Sequence, residues 1–224
     1  MPWLVNELLT AFVHILKNSF LHKRCASFTM QNLILDNIAK HISLTGAEAD
    51  HFLTQLQPRL LGKKEPVLSE GRHCHVISFV ESGILRAFHT DKEGRESTIM
   101  FAMEDWWITD MHAFINGGPA MLNIEAVEKS RVLDLPKHKL DQLYTGIPKF
   151  ERFFRIIMQN AYIREQLRVI QNLSLPAEER YDNFMARYPR VAQKVTQKQI
   201  ASYLGITPEF LSMIRAGKSK KTIS

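Results

Sequence analysis

Residues 195–217 read VTQKQIASYLGITPEFLSMIRAG, and this stretch decides the architecture. Thr196, with Gln199 three residues on, makes a capping box, so a helix is expected over Gln197–Leu204. Gly205 follows, where a helix end takes a left-handed residue. Thr207 is placed to cap a second helix, and Pro208 takes its first position, where the missing N–H costs nothing. That second helix is expected over Pro208–Arg215. Ile200, Ala201, Leu204, Ile206, Leu211 and Ile214 supply a small core, and Ala201 lets the helices approach closely. Two short helices across a glycine turn make a helix-turn-helix.

A purely structural helical hairpin would pack in the same way, but it would not explain the charge. Residues 176–224 carry nine Lys/Arg and four Asp/Glu, a net of +5, against −1 for residues 30–175 and +2 for residues 1–29. A local excess of that sign suits a polyanion such as DNA. On charge alone, a solvated basic tail explains it equally well.

Just upstream, Ala177–Arg187 is expected to be a helix with Tyr181, Phe184 and Met185 inward, followed by a turn at Tyr188-Pro-Arg190. Leu175-Pro176 ends a longer helix, Lys149–Leu173, that has two apolar faces. Phe150, Phe154, Ile157 and Ala161 form one face. Phe153, Ile156, Asn160, Ile163, Leu167 and Ile170 form the other, spaced 3-4-3-4-3. Such spacing suits a coiled-coil seam with a second copy, with Asn160 as a register-setting polar residue. Packing of both faces within one chain is the alternative.

Before that helix the period changes. From Pro58 to Leu135, short β-prone runs alternate with turn signals about every ten residues, punctuated by Gly62, Gly71, Gly83 and Gly94. This is the pattern of a β-sandwich or barrel. Asp91-Lys-Glu-Gly94 reads as a hairpin turn with positive φ at Gly94. Thr45 and Glu48 make another capping box ahead of a helix to about Leu56, and Leu33–His41 also looks helical.

The chain has 224 residues, 45% hydrophobic and 23% charged, with a net charge of +6. That is ordinary globular composition, and it excludes a wholly disordered or collagen-like chain. No uncharged apolar run is long enough for a transmembrane helix. Cys25 and Cys74 are the only cysteines, so four-cysteine zinc or iron–sulfur sites within one chain are excluded. His73 and His75 share a strand face, and a metal would need further ligands from elsewhere. No metal or other cofactor is expected. No Ser-His-Asp spacing, phosphate loop, HExxH or paired-carboxylate pattern appears, so an enzyme is not expected. Residues 1–29 are apolar with helical spacing but lack a basic start, which argues against a signal peptide. They read either as a dispensable extension before a start at Met30 or as an amphipathic helix on the protein or on a membrane surface.

In order along the chain, a β-rich domain, a long helix and a C-terminal helix-turn-helix resemble the cyclic-AMP receptor and fumarate–nitrate regulator (Crp/Fnr) family of bacterial transcription factors. The resemblance runs over roughly residues 33–215. It is carried by VLSEGRHCHVISFVESGILRAFHTDKEGRESTIMFAMEDWW, NIEAVEKSRVLDLP and VTQKQIASYLGITPEFLSMIR. It implies an α+β chain: a cyclic-nucleotide-binding-type, jelly-roll-like β-roll over 30–147, a dimerisation helix over 148–175 and a DNA-binding domain over 176–224. It also implies a homodimer on double-stranded promoter DNA, with RNA polymerase as a further partner. A cytoplasmic protein with no membrane partner is expected from the lack of a convincing signal or span. Gly83 matches a family turn glycine.

The departures are as informative. Trp107-Ile-Thr109-Asp110 replaces the Gly-Glu-Leu of members that bind cyclic AMP, and Met121-Leu-Asn123 stands where their phosphate-binding Arg belongs. A buried cyclic phosphate without that cation would cost several kcal/mol (roughly 3–5), so no cyclic-AMP response is expected and the effector is unknown. Trp107, Thr109, Met121 and Asn123 are candidates for a different pocket, although a filled roll explains them as well. For DNA, the resemblance points to Thr196, Gln197 and Lys198 on phosphate, to Thr207, Glu209 and Ser212 at the recognition helix, to Arg215 on bases or phosphate, and to Lys218 on phosphate from the flank. Glu209 matches a residue that accepts from cytosine N4, whereas Pro208 and Met213 replace guanine-reading arginines. The post-motif β-wing is expected to be missing or minimal, with AGKSKKTIS as a basic tail. The altered recognition helix keeps open a ligand-binding or interaction protein that no longer binds DNA.

Overall fold

The computed structural model describes residues 33–221. The readings of residues 1–29 lie outside them. A first helix, α1, spans 33–39, and α2 (Gly46–Thr54) opens on the expected capping box of Thr45 and Glu48. Eight strands follow: β1 (Gln57–Leu61), β2 (Pro66–Leu68), β3 (Val76–Ser82), β4 (Leu85–Thr90), β5 (Glu96–Ala102), β6 (Trp107–Ile108), β7 (Asn123–Ala126) and β8 (Ser130–Pro136). They form two antiparallel sheets, ordered β1-β8-β3-β6 and β2-β7-β4-β5. The β4–β5 hairpin turns at Gly94 (φ 76°), whose N–H donates to the Asp91 carbonyl at 3.0 Å.

Alternation along the strands sorts the core into layers. Val80, Leu85, Ala87, Ile124 and Val132 point between the sheets. Ile77, Phe79, Leu133 and Leu135 point the other way and meet α1 and two later helices, α4 (Lys137–Gly146) and α5 (Lys149–Ser174). This period-2 division is what a strand buried on both faces requires. Within the roll one helix went unanticipated: α3 (Met111–Asn116), N-capped by Asp110 and closed by Gly117 at φ 73°.

The Phe150 and Phe154 face of α5 lies on the roll as expected, with Phe150 stacked on Phe52. Phe153 departs from expectation. It is fully buried in the same core, edge-on to Trp107 and Phe154, and does not belong to an outward seam. At this end of α5 the helix is enclosed by α1, α4 and the sheet, so both stripes are covered.

Four helices complete the chain: α6 (Ala177–Arg187), α7 (Pro189–Lys194), α8 (Gln197–Leu204) and α9 (Pro208–Lys221). The expected turn at Tyr188-Pro-Arg190 is the start of α7, since Pro189 takes the first helical position. Met185 is partly exposed and not inward, leaving Phe184 as the buried anchor of α6. The expected basic tail continues α9 as helix to Lys221. This module packs on the outer face of the β4–β5 sheet: Phe101 meets Phe184 and Tyr203, and Ile84 and Val127 join the same cluster. Ser202 locks the junction, its Oγ accepting from the Thr98 N–H at 2.7 Å and donating to the Glu96 carbonyl at 2.6 Å.

Candidate nucleic-acid interface and effector pocket

The helix-turn-helix forms as its sequence dictates. Thr196 and Gln199 complete the capping box of α8, and Gly205 closes the helix at φ 66°. Thr207 Oγ1 accepts from the Phe210 N–H at 3.2 Å, capping α9. Leu211 is buried against Ile200, Ala201 and Leu204 of α8, and Ile214 one turn on is buried as well. By helical periodicity the opposite face of α9 carries Glu209, Ser212 and Met213, all exposed, with Arg215 at its flank. Gln197 and Lys198 are exposed on the first turn of α8. The eight residues expected at DNA therefore lie on one module. Lys218 is partly committed elsewhere, its Nζ 2.5 Å from Asp182 Oδ2. Sequence reasoning placed Met213 only as a missing arginine. At 68% exposure it is an apolar side chain at the centre of the outward face.

On α5, Ile163, Leu167 and Ile170 are about half exposed, and Asn160 is exposed beyond them. Tyr162, Val169 and Leu173 widen this apolar face; their 3.6-residue relation to the seam was the signal available for finding them.

The proposed effector residues do not converge. Trp107 packs on Phe79, Phe153 and Phe154 and donates to Asn37 Oδ1 at 3.0 Å, so it is a core residue. Met121 is 55% exposed. Asn123 accepts from the Glu70 N–H at 3.0 Å and links neighbouring strands. Thr109 faces a cavity of about 180 Å³ with Val67, Leu68, Cys74, Ile108 and Ile124, while Trp107 borders a different one, of about 140 Å³, beside α5. No Lys or Arg lines the Thr109 cavity. The Thr109 hydroxyl donates to the Val76 carbonyl at 2.9 Å and meets Cys74 Sγ at 3.1 Å. Among the described residues no group of three or more metal-ligating side chains comes together; His73 and His75 stack as exposed rings.

Asp110 explains how the loop before β7 is held. Its buried carboxylate accepts from the Ala113 N–H at 3.1 Å, the Met121 N–H at 2.7 Å and the Leu122 N–H at 3.0 Å. The backbone donors at Met121 and Leu122 are thus already satisfied by an anion of the chain itself. An incoming phosphate would meet neither a free N–H pair nor a cation there.

A two-sheet roll, a long helix with an open apolar face and a helix-turn-helix seated on the roll define the class: an effector-domain protein with an attached DNA-binding module. The cyclic nucleotide-binding domain family matches residues 58–146. The regulatory protein HlyX of Actinobacillus pleuropneumoniae is 24% identical over 189 residues, 74% of this chain and 75% of that one. The fumarate and nitrate reduction regulatory protein of Vibrio cholerae is 23% identical, covering 89% of this chain and 78% of its own. Among solved structures, FixK2 of Bradyrhizobium japonicum superposes with a TM-score of 0.66 at 18% identity, over 75% of this chain and 86% of that chain. Over most of its length the chain is therefore similar to regulators of the cyclic-AMP receptor and fumarate–nitrate regulator type, and its roll matches the cyclic nucleotide-binding domain family.

Proposed function

We propose that the protein is a homodimeric, sequence-specific DNA-binding transcription regulator whose roll does not respond to cyclic AMP. The observation that carries the reading is the capped helix-turn-helix with Glu209, Ser212 and Met213 on the outward face of its second helix. Residues 30–147 serve as the effector domain, 148–175 as the dimerisation helix and 176–224 as the DNA-binding domain. The open stripe of Ile163, Leu167 and Ile170 on α5 supports pairing with a second copy. Two modules related by such a seam would meet half-sites about one helical turn apart on promoter DNA. RNA polymerase is the further partner, and the cytoplasm the place of action.

In this reading Glu209 accepts from a cytosine amino group and Met213 contacts a thymine methyl. Thr196, Gln197 and Lys198 meet phosphates, while Thr207, Ser212, Arg215 and Lys218 lie beside them. Selection of random duplex DNA by the wild type and by Glu209→Ala tests the assignment. The variant is expected to lose preference at one position per half-site, by about 1–3 kcal/mol of discrimination. Lys198→Ala is expected to weaken all sequences alike and to reduce the salt slope by about one unit. Identical selected motifs would reduce Glu209 to a helix-dipole residue. Absence of salt-dependent binding to any duplex would leave an interaction protein with an inactive helix-turn-helix.

A further inference from the structure

Between the C-terminal half of α5 and the helices α6 and α8 lies a cavity of about 360 Å³. Four arginines line it, Arg164, Arg168, Arg180 and Arg187, together with Tyr188 and Tyr203, and none of its lining residues is Asp or Glu. Glu165, outside the lining, compensates two of the four: its carboxylate lies 2.9 Å from Arg168 and 3.8 Å from Arg164. Among the described residues Arg180 and Arg187 form no ion pair. Arg180 donates through Nη1 to the Asn172 carbonyl at 2.9 Å, while its Nε is buried without a hydrogen-bond partner. The Arg187 guanidinium lies 5.6 Å from the Tyr188 ring centre.

Guanidinium groups gathered on one half-enclosed space repel one another, and an anion between them relieves that repulsion. Their forked donors match phosphate oxygens. The rings of Tyr188 and Tyr203 are already faced by Arg187 and Arg168, so the site offers charge and donors more than a stacking slot. Its volume is at the small end of ligand pockets.

We propose that this cavity binds a small phosphorylated molecule carrying at least two negative charges, which ties the long helix α5 to the DNA-binding module through Arg164, Arg168, Arg180 and Arg187. The site is separate from the apolar pocket of the roll. It is also offset from the seam: around α5, Arg164 lies about 60–100° and Arg168 about 100–140° from Ile163 and Leu167. A bound anion would hold α6 against α5 at the point where the two helices join.

Isothermal titration of the full chain with inorganic tripolyphosphate at physiological salt tests the site. One saturable site per chain is expected, weakened about tenfold or more in Arg180→Gln/Arg187→Gln. Removing the same charge from exposed turns, in Lys63→Gln/Lys92→Gln, should leave binding within about twofold. Absence of saturation, or equal weakening in both variants, would overturn the proposal. A second arm measures duplex DNA affinity in polyphosphate-free buffer. Unchanged affinity in the arginine variant supports a small-molecule site, whereas a tenfold fall would assign these arginines to the DNA backbone and overturn it. Arg187 is exposed, so Arg187→Gln alone serves both arms if the double variant does not fold.

Discussion

Gly83 joins β3 to β4 at φ 91°, and its N–H donates to Glu104 Oε1 at 3.0 Å. A Cβ built there would stand 2.2 Å from Ser130 Oγ and 2.8 Å from Ser130 Cα. Ser130 begins β8 and is buried, so its backbone has no room to retreat. Gly83→Ala therefore combines an unfavourable backbone conformation with overpacking, and a loss of about 2–4 kcal/mol is expected in denaturant unfolding. A cost under about 0.5 kcal/mol would mean that the turn rearranges. Asp110 is the corresponding residue at the loop before β7, where it already supplies the anion. Calorimetry with cyclic AMP or cyclic GMP is expected to give no micromolar isotherm. A stoichiometric one would show that the roll can re-form a phosphate site against its own carboxylate.

At the scale of elements, α5 has two jobs along one length. Near Phe150–Phe154 it is a core helix, and beyond Ile157 it emerges with its apolar face open. Ile163→Asp with Leu167→Asp puts like charges into the proposed seam, and sedimentation is expected to show a folded monomer. A folded double variant that stays dimeric would move the interface elsewhere. This helix also shows what a sequence can reveal. Periodicity located it and both stripes, since spacing is a local property. Periodicity could not say that Phe153 is enclosed while Ile163 is open, because that depends on where α1 and α4 end in space. The two capping boxes and Gly205 were legible for the same local reason, each being a contact within four residues. Helix α3 was not, because Asp110 caps it only while also holding Met121 and Leu122, eleven and twelve residues away. The arginine cavity was equally hidden: Arg164 and Arg187 are far apart in sequence and converge only when α6 folds back on α5.

For the molecule as a whole, the central contact is the seating of the DNA-binding module on the roll. Its centre is apolar, with Phe101 against Phe184 and Tyr203, and it is bordered by the ion pairs Glu104–Arg190 and Glu128–Lys194. Burial raises the Glu104 carboxyl, but hydrogen bonds from Arg190, at 2.6 and 3.0 Å, and from the Gly83 N–H outweigh it, leaving the pKa lowered. A carboxyl whose folded pKa lies below its unfolded value near 4.5 contributes fully above that value. The contribution is lost as pH falls through the lower folded pKa. Arg190 is more than half solvated, although Glu104 is mostly covered, so the pair is worth about 1 kcal/mol. Arg190→Ala is therefore expected to lower the melting temperature by only about 2–4 °C at pH 7. The gap between wild type and variant should narrow as pH drops below 4.5 and vanish once Glu104 is protonated in both. A gap that persists unchanged to pH 3.5 would mean that Arg190 acts through packing alone. In that case the DNA-binding module would be held to the roll by the apolar contact of Phe101 with α6 and α8, by the Ser202 hydrogen bonds and by Glu128–Lys194, with no electrostatic share from Arg190.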